Sequence, residues 1–360
     1  MKPNLDVIRE DIIKISTNFG KEWNNIEGSS FIVSGSNGLI GSYIIDTIKH
    51  LNDHYFVSPV TVTCINRTLP NSGSRNFNLF ESRDKNFKFI AHNLRYDFSE
   101  RHQAEYVIHA AGDSSPFKFQ KNRIETIETN TIGTKNLLNV AKLNKSRKFI
   151  YFSSGAIYGD PTEENLPIPE TFRGSVSTQD PRACYAESKR LGETLCNVYD
   201  EDFDVPTLIA RIFVVYGPGM KLNDNKVITD FIRSSIIDKQ IQLKSNGGEL
   251  RSDTYISDAV SGIWSMILSP LRNEVFNIGS SFPPYTILSL ANTIHKALNI
   301  GTQPIVSSSK KELYLSTAPK NFFADVEKIR LFLNHVNLVS IDQGIERTIA
   351  WFLNDGSHAR

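Results

Sequence analysis

Two groups of residues have types and spacings that suit chemistry on a dinucleotide. In the segment Gly35–Gly41, glycines at every third position follow the apolar run at residues 31–33 and open a predicted helix. Further along, Tyr185 and Lys189 are four residues apart and therefore share one face of a helix. An ammonium beside a phenol favours the phenolate and brings its pKa nearer physiological pH. Tyr185 is thus a candidate general acid/base.

The glycine-rich segment predicts a site for the diphosphate of the dinucleotide. Gly35 permits a sharp turn, Gly38 lets backbone N–H groups approach the diphosphate, and Gly41 lets the helix pack closely on the strand. Phosphate then lies at the positive end of the helix. The candidate cofactor-binding residues here are Gly35, Ser36, Asn37, Gly38, Leu39, Ile40 and Gly41.

Composition argues against several classes of partner. Lys plus Arg number 40 against 39 Asp plus Glu, so we expect no nucleic-acid or membrane partner. No run approaches the roughly 20 apolar residues that span a bilayer, and no secretory signal peptide is evident. Three cysteines without paired or metal-ligand spacing fit a reducing compartment. We expect a cytoplasmic protein without a catalytic metal.

Short apolar runs alternate with longer helical patterns from residue 31 onward, which predicts an α/β fold with a Rossmann-like, doubly wound parallel sheet. The runs cover residues 31–34, 60–65, 87–91, 106–110, 148–153 and 207–212. After residue 219 the alternation weakens, and late helical patterns cover residues 287–298 and 341–353. We expect an amphipathic helix within residues 1–28, a dinucleotide-binding domain at 29–215, and a smaller, mostly helical substrate-binding lobe at 216–360 with some segments returning.

Taken in order, the motifs resemble the extended short-chain dehydrogenase/reductase family, which contains nucleotide-sugar epimerases, dehydratases, decarboxylases and reductases. The resemblance covers nearly everything from residue 29 onward. It rests on the glycine-rich turn, His109-Ala110-Ala111-Gly112, residues 130–134, residues 153–159, Tyr185-x-x-x-Lys189, Arg211 with residues 216–219, and residues 251–258.

The resemblance implies an NAD(P) cofactor across the C-terminal ends of the strands. The nicotinamide half would approach the small residues Ala110, Ala111 and Gly112, and Lys189 would hydrogen-bond its ribose. Asn130 either contacts the cofactor or organises the backbone beside it. The remaining candidate cofactor-binding residues are Asn66, Arg67, Asn93, Leu94 and Tyr185.

The end of the second strand bears on the choice of cofactor. Asn66 stands where an NAD enzyme of this fold commonly has an acidic residue for the ribose 2′-hydroxyl. Arg67 next to it can pair with a 2′-phosphate, which favours NADP. The alternative is NAD, with Arg67 as a solvated loop residue.

Three residues are candidate substrate contacts: Asp113, Ser154 and Arg251. The resemblance assigns Ser154 a hydrogen bond to the reacting sugar oxygen, which it would clamp with Tyr185 while hydride moves between C4 and nicotinamide. It assigns Arg251 to the diphosphate of a nucleoside-diphosphate sugar, which suits the guanidinium fork.

Gly155 and Ala156 follow Ser154, whereas dehydratases of the family have an acidic pair there and decarboxylases a glutamate. Neither side chain can transfer a proton. Val214 stands where members often have an asparagine that helps to hold the substrate.

The sequence therefore favours hydride transfer at sugar C4 by a 4-epimerase or a 4-keto-6-deoxyhexose reductase. One alternative is a nucleoside-diphosphate-sugar 4,6-dehydratase or a UDP-glucuronate-type decarboxylase with a rearranged acid/base set. An alternative of another class is a catalytically silent, cofactor-bound interaction or redox-sensing protein, which the intact Ser154, Tyr185 and Lys189 oppose. The resemblance also implies a homodimer, formed through the helix that carries Tyr185 and the helix near residues 126–143.

Overall fold

The computed structural model describes residues 5–98, 103–224, 226–306 and 319–354. Its helices are α1 (Leu5–Asn18), α2 (Leu39–His54), α3 (Phe77–Glu81), α4 (Pro116–Lys121), α5 (Arg123–Asn144), α6 (Ala183–Phe203), α7 (Val227–Ile237), α8 (Ile256–Leu268), α9 (Ile287–Ala297), α10 (Glu327–Leu333) and α11 (Ile341–Asn354). Short 3-10 helices cover Gly20–Asn25, Gly155–Tyr158 and Glu163–Asn165.

The strands are β1 (Ser30–Ser34), β2 (Thr61–Asn66), β3 (Phe87–Ala91), β4 (Tyr106–His109), β5 (Lys148–Ser154), β6 (Thr207–Ile212), β7 (Val215–Tyr216), β8 (Gln242–Leu243), β9 (Leu250–Arg251), β10 (Thr254–Tyr255), β11 (Glu274–Ile278), β12 (Tyr285–Thr286) and β13 (Ile305–Val306). Seven of them form one sheet in the order β11-β6-β5-β4-β1-β2-β3. All of its neighbouring strands are parallel.

The sheet confirms the predicted doubly wound α/β fold. The six apolar runs predicted from the sequence are all strands of this sheet, with ends that differ by one residue at most. Parallel strands are covered by helices on both faces, which is why β1 is buried along its whole length. The seventh strand, β11, pairs with β6 and lies beyond residue 216, within the segment predicted as the second lobe.

The N-terminal helix is shorter than its apolar pattern predicted. The pattern continues to residue 24, but α1 ends at Asn18, and Gly20 has a φ of +48°. A left-handed residue interrupts helical hydrogen bonding, and the chain continues as a 3-10 helix. That helix buries Trp23 edge-on against Trp264 of α8, with ring centroids 5.0 Å apart.

A buried carboxylate ties α1 to the rest of the molecule. Asp11 is 2% exposed and accepts hydrogen bonds from Tyr43 Oη at 3.1 Å, Tyr255 Oη at 2.9 Å and Arg347 Nη2 at 2.8 Å. Burial raises the pKa of the Asp11 carboxyl, and Arg347 opposes that shift. These bonds link α1 to α2, β10 and α11.

The described residues include neither a membrane-spanning helix nor a cluster of metal ligands. None of their helices combines the length and apolar character needed to cross a membrane. In the same ranges, no group of three or more His, Cys, Asp or Glu side chains is placed to hold a metal ion.

The start of α2 depends on close contact with the turn before it. A Cβ on Gly41 would lie 2.4 Å from the Gly35 carbonyl oxygen, which no small shift relieves. We expect Gly41→Ala to destabilise the fold by about 3 kcal/mol and to weaken dinucleotide binding at least tenfold. Thermal unfolding and calorimetric titration measure both. Gly301→Ala is the control, because a Cβ there meets nothing within 4 Å; equal behaviour of the two variants would contradict the prediction.

Candidate active site

The turn after β1 lies against the end of β4. Gly35 has a φ of +71°, and a Cβ on it would lie 2.7 Å from the backbone of Ala110. Only glycine permits both the conformation and the approach. The turn leads into the first turn of α2, whose leading N–H groups have no acceptor within the helix. This geometry suits a phosphate group at the helix N-terminus.

Asn66, at the end of β2, supports this turn. Its side-chain Oδ1 accepts from the Asn37 N–H at 3.0 Å, and its Nδ2 donates to Ser36 Oγ at 2.7 Å. Both polar atoms therefore position the glycine-rich segment. Asn66 also lines the cleft, and its predicted contact with the cofactor stays a prediction.

A cleft of about 1820 Å³ runs along the C-terminal ends of the strands. It brings together thirteen of the predicted residues: Gly35, Asn37, Gly38, Leu39, Asn66, Arg67, Asn93, Leu94, Ala110, Ala111, Gly112, Asp113 and Asn130. Ser36, Ile40 and Gly41 belong to the same turn but do not line the cleft, and Ser154, Tyr185, Lys189 and Arg251 also lie outside its lining.

The floor of the cleft fits a nicotinamide dinucleotide. A Cβ on Gly112 would lie 3.1 Å from Asn130 Oδ1 and 3.5 Å from Lys189 Nζ, so any larger residue would fill the space. Asn130 is 1% exposed; its Nδ2 donates to Ser188 Oγ at 2.9 Å, and its Oδ1 has no partner among the described residues. A buried, unpaired amide oxygen suits a ligand that donates a hydrogen bond.

Lys189 is enclosed at the junction of α6 and β5. Its Nζ donates to the Phe152 carbonyl at 2.7 Å and lies 5.0 Å from the centre of the Tyr151 ring. Burial lowers the pKa of the Lys189 ammonium to about 7, and the Glu193 carboxylate opposes that shift. The amine therefore titrates near neutral pH.

Tyr185 is buried beneath an aromatic ring of α4. Phe119 stacks on it with ring centroids 4.8 Å apart and planes 7° from parallel. Burial raises the pKa of the Tyr185 phenol, and a hydrogen bond with Ser154 opposes this. The sequence predicted a lowered pKa, and that prediction is wrong: Lys189 Nζ is 5.9 Å from the ring centre, and desolvation dominates.

An ion pair between Glu193 and Arg211 helps to fix α6 against β5 and β6. Glu193 of α6 receives hydrogen bonds from Arg211 of β6, the shorter at 2.8 Å, and from Ser153 Oγ of β5. Glu193 and Arg211 side chains are only 11% and 13% exposed. In this pair each charge has a partner, which burial requires.

Next to Ser154, the space that an acidic side chain would need is filled. A Cβ on Gly155 would lie 3.1–3.2 Å from ring atoms of Phe213, which is itself buried. Ser154 Oγ accepts from the Ala156 N–H at 3.1 Å. Gly155 therefore contributes only backbone, and the Phe213 ring fills the space beside it.

Two predicted arginines have protein partners. Arg67 donates to Glu125 at 2.8 Å and to Asp113 at 3.2 Å. Arg251 donates through Nη1 to the Leu250 and Lys320 carbonyls and through Nη2 to that of Pro319, at 2.7–2.9 Å. Arg67 lines the cleft while it makes these ion pairs, and the ligand contacts predicted for Arg67 and Arg251 stay predictions.

Sequence analysis missed three residues that shape the site: Arg75, Phe119 and Phe213. The two phenylalanines carry no local signal, because their partners Tyr185 and Gly155 are distant in sequence. Arg75 lies in a polar loop whose composition predicts a turn. That composition does not predict that the loop lines a cleft.

Comparison with known proteins identifies the family. The model of the NAD dependent epimerase/dehydratase family matches residues 31–279. The chain belongs to this family. The resemblance on which the sequence analysis relied is thereby confirmed, as is its class of enzyme, whose members modify nucleotide sugars.

Individual relatives include enzymes of different activity. UDP-glucuronic acid decarboxylase 1 of Xenopus tropicalis is 29% identical over 98% of this chain and 80% of its own length. UDP-glucuronic acid 4-epimerase of Bacillus cereus, solved with UDP-glucuronic acid and NAD, has a TM-score of 0.73 at 25% identity, covering 90% of this chain and 99% of that one. UDP-glucose 4-epimerase of Thermotoga maritima has a TM-score of 0.76 at 21% identity, covering 91% and 99%.

Removing the Tyr185 hydroxyl tests its role in proton transfer. We expect Tyr185→Phe to lower kcat between about 100- and 10,000-fold while cofactor affinity changes little. Tyr199→Phe is the matched control, since Tyr199 lies on the same helix and donates to Asn139 at 2.6 Å. Steady-state kinetics and calorimetry measure the two quantities, and equal kcat values for both variants would exclude Tyr185 as the acid/base.

The buried amine makes stability depend on pH. Because the pKa of Lys189 falls from 10.5 to about 7 on folding, the unfolded chain binds an extra proton between these values, and stability rises with pH across that window. We expect Lys189→Met to raise the melting temperature more near pH 6 than near pH 10. Thermal unfolding at both pH values checks this, with Lys135→Met on the exposed face of α5 as control. A pH-independent difference would contradict it.

Proposed function

We propose that the protein is a 4-epimerase that oxidises and then re-reduces C4 of a UDP-hexose or UDP-hexuronic acid. The observation that carries this proposal is the contact between Gly155 and Phe213 beside Ser154. It leaves no carboxylate at the position from which related enzymes would promote elimination. Ser154, Tyr185 and Lys189 supply what C4 chemistry alone requires.

The side chains divide the work of proton transfer. Tyr185 Oη takes the proton of the C4 hydroxyl as hydride leaves C4, and it returns the proton when hydride comes back on the other face. Ser154, which already hydrogen-bonds Tyr185, holds the same sugar oxygen. When bound, the oxidised cofactor supplies the hydride acceptor and a positive charge that favours the phenolate.

A second candidate function is decarboxylation of a UDP-hexuronic acid. It is favoured by similarity to UDP-glucuronic acid decarboxylases across 98% of the chain. Oxidation of a hexuronic acid at C4 gives a β-keto acid, which loses carbon dioxide as the C5–C6 bonding electrons form an enolate. A proton, which water can supply, then adds at C5, and hydride returns to C4, so no carboxylate side chain is required for the loss of carbon dioxide. The absence of an acidic residue after Ser154 therefore weighs less against this reaction than against dehydration.

Incubation with UDP-glucose, UDP-N-acetylglucosamine, UDP-glucuronic acid and a 4-keto-6-deoxy sugar nucleotide separates the candidates. An epimer of unchanged mass is the expected product. Loss of carbon dioxide from UDP-glucuronic acid would establish the decarboxylase, and oxidation of NADH or NADPH by the keto sugar would establish the reductase. Loss of water would mean a dehydratase, and turnover of none of them would favour a silent protein.

For the cofactor we propose NAD. Asp113 and Glu125 surround the guanidinium of Arg67, and two carboxylates repel a 2′-phosphate. NAD is also bound in a structural relative. NADP, which the sequence favoured, stays a prediction that requires Arg67 to leave these partners.

Removing one carboxylate partner of Arg67 tests the choice between NAD and NADP. We expect the wild type to bind NAD more tightly than NADP, and Glu125→Gln to raise NADP affinity about threefold to fivefold without changing NAD affinity. Glu128→Gln on the same helix, which loses a bond to Arg95, is the control. Calorimetric titration gives the affinities, and tighter NADP binding by the wild type that Arg67→Ala removes would restore the NADP prediction.

We further propose a cytoplasmic homodimer. Two neighbouring helices, α5 and α6, expose apolar side chains, among them Ile124 at 67% and Leu191 at 50%. The three cysteines are free, which fits a reducing compartment.

A charge on the proposed dimer face tests the assembly. We expect the wild type to elute at the dimer mass and Leu191→Glu to shift it toward the monomer, because an interface core excludes charge. Leu331→Glu, at an equally apolar and exposed position of α10, is the control. Light scattering after gel filtration gives the mass, and a monomeric wild type would refute the dimer.

A further inference from the structure

Arg75 lines the cleft, and one nitrogen of its guanidinium is unpaired. Its Nη2 pairs with Asp46 of α2, and its guanidinium lies 3.8 Å from the centre of the Tyr43 ring. Its Nη1 is buried and has no hydrogen-bond partner among the described residues. A buried cationic N–H without an acceptor is costly, so this nitrogen suits a ligand oxygen.

Gly219 lies next to Nη1 and leaves room for it. A Cβ on Gly219 would lie 3.1 Å from Arg75 Nη1 and 3.3 Å from Leu39 Cδ1. The guanidinium thus lies beside Leu39, the first residue of α2, where the positive end of the helix favours a phosphate. All three residues line the cleft.

An independent observation points to a ligand at the same place. Asn76 is 1% exposed; its Nδ2 donates to the Ser36 carbonyl at 2.8 Å, while its Oδ1 has no partner in the described ranges. It also lines the cleft. A cation and an unpaired acceptor next to each other match a ligand that carries anionic oxygens and hydroxyl groups, as a ribose diphosphate does.

We propose that Arg75 binds a diphosphate oxygen of the cofactor, with Gly219 leaving room for its guanidinium. This inference rests on the proposed use of a nicotinamide dinucleotide. Tyr43 is the positioning residue: its ring supports the guanidinium while its hydroxyl donates to Asp11. Because Asp11 belongs to α1, the N-terminal helix supports Tyr43 and, through Tyr43, the position of Arg75.

The test compares ligands with and without a diphosphate. Because Arg75→Gln alone would strand the Asp46 carboxylate, the double variant Arg75→Gln/Asp46→Asn is used, together with Arg75→Lys, which keeps the charge. Arg83→Gln, at an exposed position, is the control. Calorimetric and competition titrations with NAD, NADP, ADP and adenosine give the affinities, and melting temperatures without ligand report folding.

We expect the double variant to lose at least tenfold in affinity for both NAD and ADP, with adenosine affinity unchanged and Arg75→Lys in between. Unchanged NAD affinity would overturn the proposal. An equal loss for adenosine would show that Arg75 only shapes the loop, and a loss for NADP alone would assign it to the 2′-phosphate. Failure of the proposed epimerase is read separately, from the products that the wild type forms.

Discussion

The buried amine of Lys189 is the constraint on which the site depends. Desolvation disfavours its charged form, so the surrounding elements have to supply compensating groups: the Phe152 carbonyl from β5 and the Glu193 carboxylate from its own helix. Glu193 is in turn fixed by Arg211. These bonds set the rotation of α6 against the sheet, and that rotation places Tyr185 one helical turn away.

Much of the scaffold could be predicted because its signals are local. Alternation of apolar runs and helical patterns needs only neighbouring residues, and it located six strands of the sheet within one residue. The spacing of Gly38 and Gly41 likewise reports contacts with Gly35 inside one turn, whereas the contact of Gly35 with Ala110 joins segments distant in sequence. Tyr185 and Lys189 could be paired because a helix repeats every 3.6 residues.

The state of the charged groups could not be predicted, since it depends on partners distant in sequence. Arg67 pairs with Glu125 and Asp113, and Phe119 covers Tyr185. The loops that bring these residues together have no periodic pattern in the sequence. A pKa depends on the sum of such surroundings, which is why the sequence argument for Tyr185 gave the wrong sign. Lys189 does lie one helical turn from Tyr185, as predicted. Burial of the phenol nevertheless has the largest effect on the pKa of Tyr185 and raises it.

The carboxylate of Asp11 has a consequence for how firmly the N-terminal helix is held. Two phenols and a guanidinium, on Tyr43, Tyr255 and Arg347, converge on this one acceptor in a buried place. Without an acidic residue at position 11, the buried phenols of Tyr43 and Tyr255 would lose the acceptor that they share, whereas Arg347 would keep Glu10 and the Val7 carbonyl as acceptors. Loss of this one carboxylate would therefore loosen the N-terminal helix from α2 and β10 more than from α11, because only the bonds to α11 have a second acceptor on that helix.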